Sequence, residues 1–83
     1  MKNNNTYNGY KNHNTWNIAL WISNDHGLYN LAVEFMENFK GQAPYKKFIE
    51  FLGLEDEKTP DNAKFIDRSL SYRELNNFMR DLI

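Results

Sequence analysis

The chain has no cysteine, no long apolar run and no marked excess of either charge, and each absence excludes a class of protein. Without cysteine there is no disulfide framework, no thiolate metal site and no cysteine nucleophile. The longest apolar run covers residues 18–22, which is far shorter than the about 20 residues of a membrane-spanning helix. The formal net charge is −1, which gives no bulk attraction to nucleic acid or to anionic lipid. We therefore expect no association with a membrane.

The chain is rich in aromatic residues and asparagine, and it is long enough for one domain. Aromatic residues make up 16% of its 83 residues and charged residues 25%, which is typical of a globular rather than a disordered chain. Six of the thirteen asparagines lie in residues 1–14. We expect residues 1–6 to be a flexible tail and residues 7–83 to form a single helical domain.

Four segments have the apolar periodicity and the flanking helix breakers of α-helices. They span residues 15–23, 26–40, 44–52 and 72–82. Asn14 or Thr15 is expected to cap the first helix, and Asn24 or Asp25 the second, because a side-chain oxygen there can accept a free backbone N–H. These segments predict an all-α fold, a compact bundle of about four short helices with an irregular or hairpin-like N-terminal arm.

Two segments outside the helices are predicted to be turns. The Asn-Gly pair within residues 7–10 is typical of a tight turn, because both residues tolerate a positive φ. Thr59 followed by Pro60 is expected to open a short helical turn, with Thr59 as its cap. Farther along the chain, Phe65 and Ile66 are expected to fill part of the core.

The last helix begins with a capping-box sequence. Ser71 is followed three residues later by Glu74, so each side chain can accept the other's backbone N–H. Leu70 and Leu75 stand at the positions of a hydrophobic staple, just before the cap and on the second turn. We therefore expect the fourth helix to be fixed by local contacts at its start.

The second helix carries more apolar surface than one side of a small core needs. Its larger stripe contains five residues at helical spacing: Leu28, Leu31, Ala32, Phe35 and Phe39. An adjacent stripe is formed by Tyr29, Val33 and Met36. We expect this second stripe to be exposed, where it would bind a partner protein or a second copy of the chain.

The residue types that carry catalysis in other proteins are few and scattered here. His13 and His26 are the only histidines, so a zinc site would need two further ligands from carboxylates. Glu34 and Glu37 share one helix surface, but general acid–base catalysis also needs a concave site and separated pKa values. The serines lack the sequence context of an activated nucleophile. We therefore expect no enzymatic activity, no catalytic residue, no metal and no cofactor.

A motif in the first third of the chain resembles a family of small proteins. It comprises YNGY at residues 7–10, NTWN at 14–17, LW at 20–21, ND at 24–25 and GLY at 27–29. The pattern is similar to an uncharacterised family of phage and plasmid accessory proteins. The resemblance implies a mobile-element gene beside anti-restriction or other anti-defence functions, and a location in the host cytoplasm. It implies no catalytic or binding residue.

The favoured interpretation is a phage protein that binds and sterically inhibits a bacterial defence protein, of the anti-CRISPR or anti-restriction type, without catalysis. Its partner would be a host nuclease or effector complex, and a homodimer is a second possibility. An acidic loop after the third helix would locally mimic the phosphates of nucleic acid. The candidate partner-binding residues are Tyr29, Met36, Glu37, Glu55, Asp56, Glu57 and Asp61.

A small DNA-binding regulator of a phage operon is the alternative interpretation. The ten Lys and Arg residues are dispersed, and the second helix carries Glu34 and Glu37 but only Lys40 as a cation, unlike a basic recognition helix. Tyr7 and Tyr10 in the N-terminal arm would still be able to stack on bases. Nucleic acid is therefore not the favoured partner, and a structural or packaging accessory of the virion is a third interpretation.

Overall fold

The computed structural model describes residues 7–83, which form an all-α bundle as the sequence predicts. The predicted flexible tail, residues 1–6, lies outside the described residues. The four helices are α1 (His13–Asn24), α2 (His26–Asn38), α3 (Pro44–Leu52) and α4 (Tyr72–Arg80). Within residues 7–83 the β-structure is limited to two isolated antiparallel bridges, Tyr7 with Tyr10 and Lys58 with Lys64.

Helix α1 begins two residues earlier than predicted because its cap is Asn12. The Asn12 Oδ1 atom accepts hydrogen bonds from the Thr15 backbone N–H at 2.9 Å and from the Thr15 hydroxyl at 2.7 Å. Its amide nitrogen donates to the Ser69 carbonyl at 2.6 Å. The prediction of Asn14 or Thr15 as the cap was therefore wrong. Asn14 instead lies inside the helix, where its amide donates to the Ser69 hydroxyl at 3.2 Å.

The N-terminal arm is the tight turn that the Asn-Gly pair predicts. Tyr7 and Tyr10 exchange two backbone hydrogen bonds of 2.6 and 2.8 Å, and both residues between them have positive φ, 49° at Asn8 and 90° at Gly9. The Tyr7 ring packs edge-on against Trp16, with 4.7 Å between the ring centroids. The arm is thus attached to α1 by aromatic contacts.

Helices α2 and α3 have starts that the sequence predicts correctly. The Asp25 carboxylate accepts the Leu28 N–H at 2.9 Å and so caps α2. Helix α2 ends at Asn38, two residues before the predicted end at Lys40, since Phe39 is already in an extended conformation. Helix α3 has the predicted bounds and ends where Gly53 adopts a left-handed φ of 72°.

Helix α4 has only half of the predicted capping box. The Ser71 hydroxyl accepts the Glu74 N–H at 3.3 Å, as predicted. The Glu74 carboxylate, however, accepts the Lys11 N–H at 2.7 Å, and the Ser71 N–H donates to the Thr15 hydroxyl at 3.0 Å. The start of α4 is therefore bound to the arm and to α1, and the helix ends at Arg80 rather than at the predicted Leu82.

The core is one cluster to which all four helices and the segment between α3 and α4 contribute. Phe65 is buried as predicted, whereas Ile66 is only partly buried. Tyr45 is fully buried, and its hydroxyl donates a 2.6 Å hydrogen bond to the Phe65 carbonyl. Tyr45 therefore binds the segment before α4 to helix α3.

The segment between α3 and α4 is held by a buried polar network in place of the predicted helical turn. Thr59 is buried, and its hydroxyl donates to Asn17 Oδ1 at 2.6 Å and accepts the Ala63 N–H at 3.1 Å. The Asn17 amide donates to the Asp61 carboxylate at 2.8 Å. No helix forms after Thr59, because Asn62 adopts a left-handed φ of 73° and the chain turns so that the Thr59 N–H donates to the Ala63 carbonyl at 2.8 Å.

Candidate functional site

An apolar surface depression lies between α2 and α3. It has a volume of about 390 Å³. Its lining consists of Leu31, Glu34, Phe35, Asn38, Phe39 and Phe51. Five of these residues come from α2 or from the residue that ends it, and Phe51 stands opposite them on α3. We call this depression the α2–α3 groove.

Phe51 is the most exposed large apolar residue among residues 7–83, with 68% of its surface accessible. Leu31, on the other wall of the groove, is 42% exposed. The folded chain leaves both side chains partly exposed, although removing their apolar surface from water would be favourable. The groove therefore presents apolar surface that is available to another molecule.

A cluster of four phenylalanines joins the groove to the core. The Phe35 ring is stacked on Phe39 with centroids 5.1 Å apart, and it lies 5.6 Å from the Phe51 ring. On its inner side Phe35 lies 5.4 Å from Phe48, which is fully buried. Since Phe48 is fixed in the core, the groove wall is supported by packed rings rather than by a loose loop.

A second depression continues from Leu31 toward the start of α2. Its volume is about 640 Å³, and it is more open than the α2–α3 groove. Trp21 and Leu28 form one side of it, and Leu54 and Phe65 contribute to the other. Because Leu31 lines both depressions, they are neighbours along α2, and we call the two together the channel.

The charged residues that line this channel are mostly acidic. Glu34 lies in the α2–α3 groove, and Asp25 and Glu57 line the second depression. Lys58 is the only cation in either lining. Three carboxylates against one ammonium group give the lining a formal charge of −2, which is more acidic than the whole chain at −1.

The structure separates the candidate partner-binding residues on α2. Tyr29 and Glu37 are exposed, but neither lines the channel. Met36 is buried with 5% exposure, so the expectation that it belongs to an exposed patch is wrong. The reason is the rotation of α2: Ala32 and Met36, one turn apart, face the core, and this places Leu31 on the outside.

The acidic candidates lie in the segment that follows α3. Glu55, Asp56 and Glu57 are exposed, and of these Glu57 lines the channel. Asp61 is exposed as well, but its carboxylate accepts the hydrogen bond from the Asn17 amide. Asp61 thus has a structural contact, while Glu57 is the acidic candidate that the structure places beside apolar surface.

The groups with shifted pKa values do not line the channel. Burial, and secondarily the neighbouring Tyr72, raises the pKa of the Tyr45 hydroxyl. Hydrogen bonds from the side chain and the backbone of Ser69 lower the pKa of the Asp67 carboxyl. Partial burial, followed by the nearby charges of Glu74 and Asp81, raises the pKa of Tyr10.

Two kinds of functional element are absent from residues 7–83. No group of three or more His, Asp or Glu residues among them is arranged to hold a metal ion. None of the helices described there has the length and apolar character needed to cross a membrane.

The sequence matches a known protein family over nearly its whole length. The sequence profile of a family of unknown function, DUF7249, matches residues 3–83, which is nearly the whole chain. The chain belongs to DUF7249. No curated protein and no solved structure matches this DUF7249 chain. The channel along α2 is therefore interpreted from its own geometry.

Sequence reasoning on this DUF7249 chain missed Phe51. The face of α3 that packs on the core consists of Tyr45, Phe48, Ile49 and Leu52, which is sufficient to attach a short helix to the core. Phe51 is a surplus aromatic residue beside that face, next to the hydrophilic Glu50. A search for large apolar residues outside the buried stripe would have identified it.

Proposed function

We propose that this chain is a noncatalytic protein-binding module and that the α2–α3 groove is its binding face. The observation that carries the proposal is the 68% exposure of Phe51 on the wall of an apolar groove. Covering a phenylalanine at an interface contributes on the order of 1.5–3 kcal/mol. Aromatic residues are also frequent at the centres of protein interfaces.

We further propose that the partner is a bacterial defence protein, either a nuclease or an effector complex, which the chain inhibits by occupying its surface. One expectation from the sequence and one observation on the structure support this finer proposal. The motif in residues 7–29 resembles small phage and plasmid accessory proteins. In addition, the groove is held by the stacked rings of Phe35 and Phe39, and a rigid surface of this kind suits steric blocking better than chemistry.

The test is phage plating on bacteria that carry defined CRISPR or restriction systems and express the chain. We expect the natural chain to restore plating on at least one strain and Phe51→Ser to abolish the effect. Ile83→Ser is the matched control, because Ile83 is 64% exposed, close to the exposure of Phe51, and does not line the groove. Equal stability of both variants in thermal unfolding shows that the loss is one of binding.

Two results contradict the proposal. If Phe51→Ser restores plating as well as the natural chain does, the groove is not the binding face. If no strain is affected while the natural chain is expressed and folded, the defence protein is not the partner.

A further inference from the structure

The floor of the channel has the spacing of a surface that receives a helix. Leu28, Leu31 and Phe35 follow one another at intervals of three and four residues along α2, and Phe39, the residue after the helix, follows four residues later. Eleven residues of helix extend about 16 Å, which is roughly three turns. Apolar floors of this length receive amphipathic helices whose anchors recur at i, i+3 or i+4, and i+7.

The opposite wall of the channel is formed by the end of α3 and the residues after it. Phe51 lines the α2–α3 groove, and Gly53 and Leu54 line the second depression. The polar network of Asn17 and Thr59 fixes the chain just beyond this wall. Both walls are therefore ordered before a partner arrives, so that binding does not need to order the channel.

The charges beside this apolar floor favour a cationic occupant. Glu34 lines the α2–α3 groove, and Asp25 and Glu57 line the second depression together with Lys58. Glu55 and Asp56, which precede Glu57 in the chain, are exposed as well. Acidic residues in both depressions, beside an apolar floor, are complementary to a helix that carries Lys or Arg beside its apolar face.

A second copy of the chain is a poor occupant for the same reason. A two-fold dimer places the same patch on both partners. Each channel lining has a formal charge of −2, so a dimer through this face would bring like charges together. Like-charge contacts across an interface oppose association.

We propose that the channel along α2 binds a basic amphipathic α-helix of the partner protein. This inference rests on the proposed protein-binding function and specifies the chemistry of the partner. Apolar side chains of the partner helix contact Leu31, Phe35 and Phe51, and its Lys or Arg residues pair with Glu34 and Glu57. The affinity for the partner helix therefore falls as the salt concentration rises, because the ion pairs are exposed to solvent.

The first experiment is selection from a displayed library of random 16-residue peptides on the natural chain, with Phe51→Ser used for counter-selection. We expect the enriched peptides to carry net positive charge and to have apolar residues at i, i+3 or i+4, and i+7. Enrichment of acidic, neutral or non-helical sequences overturns this inference while leaving the protein-binding function intact. If no peptide is enriched on the natural chain relative to Phe51→Ser, both the inference and the proposed binding face are wrong.

The second experiment titrates one enriched synthetic peptide against variants by fluorescence anisotropy of a label on the peptide. We expect the double variant E34Q/E57Q to raise Kd by about two- to tenfold, which is the scale of two exposed ion pairs. Glu37→Gln is the control, because it makes the same change on α2 outside the channel lining. Asp25 is left unchanged because its carboxylate caps α2.

Two outcomes of the titration contradict the inference. One is an equal effect of Glu37→Gln and the double variant, and the other is a Kd that stays constant between 50 and 300 mM NaCl, concentrations that span roughly a halving of the Debye length. Sedimentation of the chain without peptide tests whether a second copy of the chain occupies the channel instead. A dimer that the Phe51→Ser substitution dissociates would show that it does and would overturn the inference.

Discussion

The Tyr45 hydroxyl is a buried polar group whose hydrogen bond joins two distant parts of the chain. It lies in helix α3 and donates to the carbonyl of Phe65, in the segment before α4. Burial raises the pKa of this hydroxyl, so it stays protonated and continues to donate at ordinary pH. A phenylalanine at this position keeps the ring but leaves the carbonyl without its partner.

We expect Tyr45→Phe to lower the free energy of unfolding by about 1–2 kcal/mol, which is the cost of a buried acceptor left without its hydrogen bond. Urea unfolding measures the change. Tyr29→Phe is the control, since Tyr29 is 38% exposed and its hydroxyl donates no hydrogen bond within residues 7–83. Equal stabilities of the two variants would show that the Phe65 carbonyl finds another donor.

The Asp67 carboxylate gives the fold a dependence on acid. Its pKa is lowered in the folded chain by hydrogen bonds from Ser69, whose backbone N–H lies 3.0 Å from the Asp67 carboxylate. A carboxyl group with a lowered pKa stabilises the fold above its unfolded pKa. This contribution is lost as the pH falls below about 4 and through the folded pKa.

We expect Asp67→Asn to flatten the loss of stability between about pH 5 and pH 2 relative to the natural chain. Thermal unfolding at a series of pH values measures this slope. Asp56→Asn is the control, because Asp56 is exposed and accepts no side-chain hydrogen bond within residues 7–83. A slope that Asp67→Asn leaves unchanged would assign the acid sensitivity to other groups.

At the scale of elements, the caps of α1 and α4 differ in how far they reach along the chain. The Asn12 side chain caps α1 and also binds the Ser69 carbonyl, 57 residues away. The Ser71 hydroxyl caps α4 through a single local hydrogen bond of 3.3 Å. The first cap therefore supports both a helix and a tertiary contact.

We expect Asn12→Ala to cost about 2 kcal/mol and Ser71→Ala about 1 kcal/mol, the upper and middle parts of the range for helix caps. Chemical unfolding of both variants gives the comparison. Asn30→Ala serves as the control, since Asn30 is exposed inside α2, where alanine is the better helix former. An equal cost for the two caps would mean that the contact with Ser69 contributes little.

Local sequence patterns predicted the helices well and their connections poorly. The bounds of α3 follow from Pro44 and Gly53, and the start of α2 from Asp25, because these signals act over a few residues. The partners of Glu74 and Thr15 are distant in sequence, Lys11 and Ser71 respectively. Spacing along the chain contains no information about such pairs.

The orientation of α2 about its own axis was the main feature of the site that the sequence did not predict. Two adjacent apolar stripes were available, and periodicity alone gives no preference between them. Ala32 and Met36 pack into the core and so determine which side of α2 is buried, because the small side chain of Ala32 lets the helix approach the core closely. This rotation turns Leu31 outward, and with Phe51 it forms the channel that the sequence did not predict.

At the scale of the whole molecule, one polar network connects α1 to the wall of the channel. Asn17 on α1 binds both Thr59 and Asp61, which lie beyond α3. The Lys58–Lys64 bridge closes the same segment into a short loop. The shape of the channel thus depends on side chains that do not line it.

We expect Thr59→Val to lower the free energy of unfolding by about 1–3 kcal/mol, because it leaves Asn17 Oδ1 and the Ala63 N–H without the hydroxyl. Thr59→Ser is the control, since it keeps the hydroxyl and loses a methyl group. Urea unfolding measures both variants, and amide exchange at Ala63 reports on the loop. If valine were as well tolerated as serine, the hydroxyl would have no structural role.

The fluorescence of Trp21 can report whether the second depression is occupied. The chain has two tryptophans: Trp16 packs against Tyr7, and Trp21 lies half-buried on the side of the second depression. Trp16→Phe leaves one indole, beside the channel. A ligand seated there displaces water from that ring and shifts its emission to the blue, so occupancy is readable without a label.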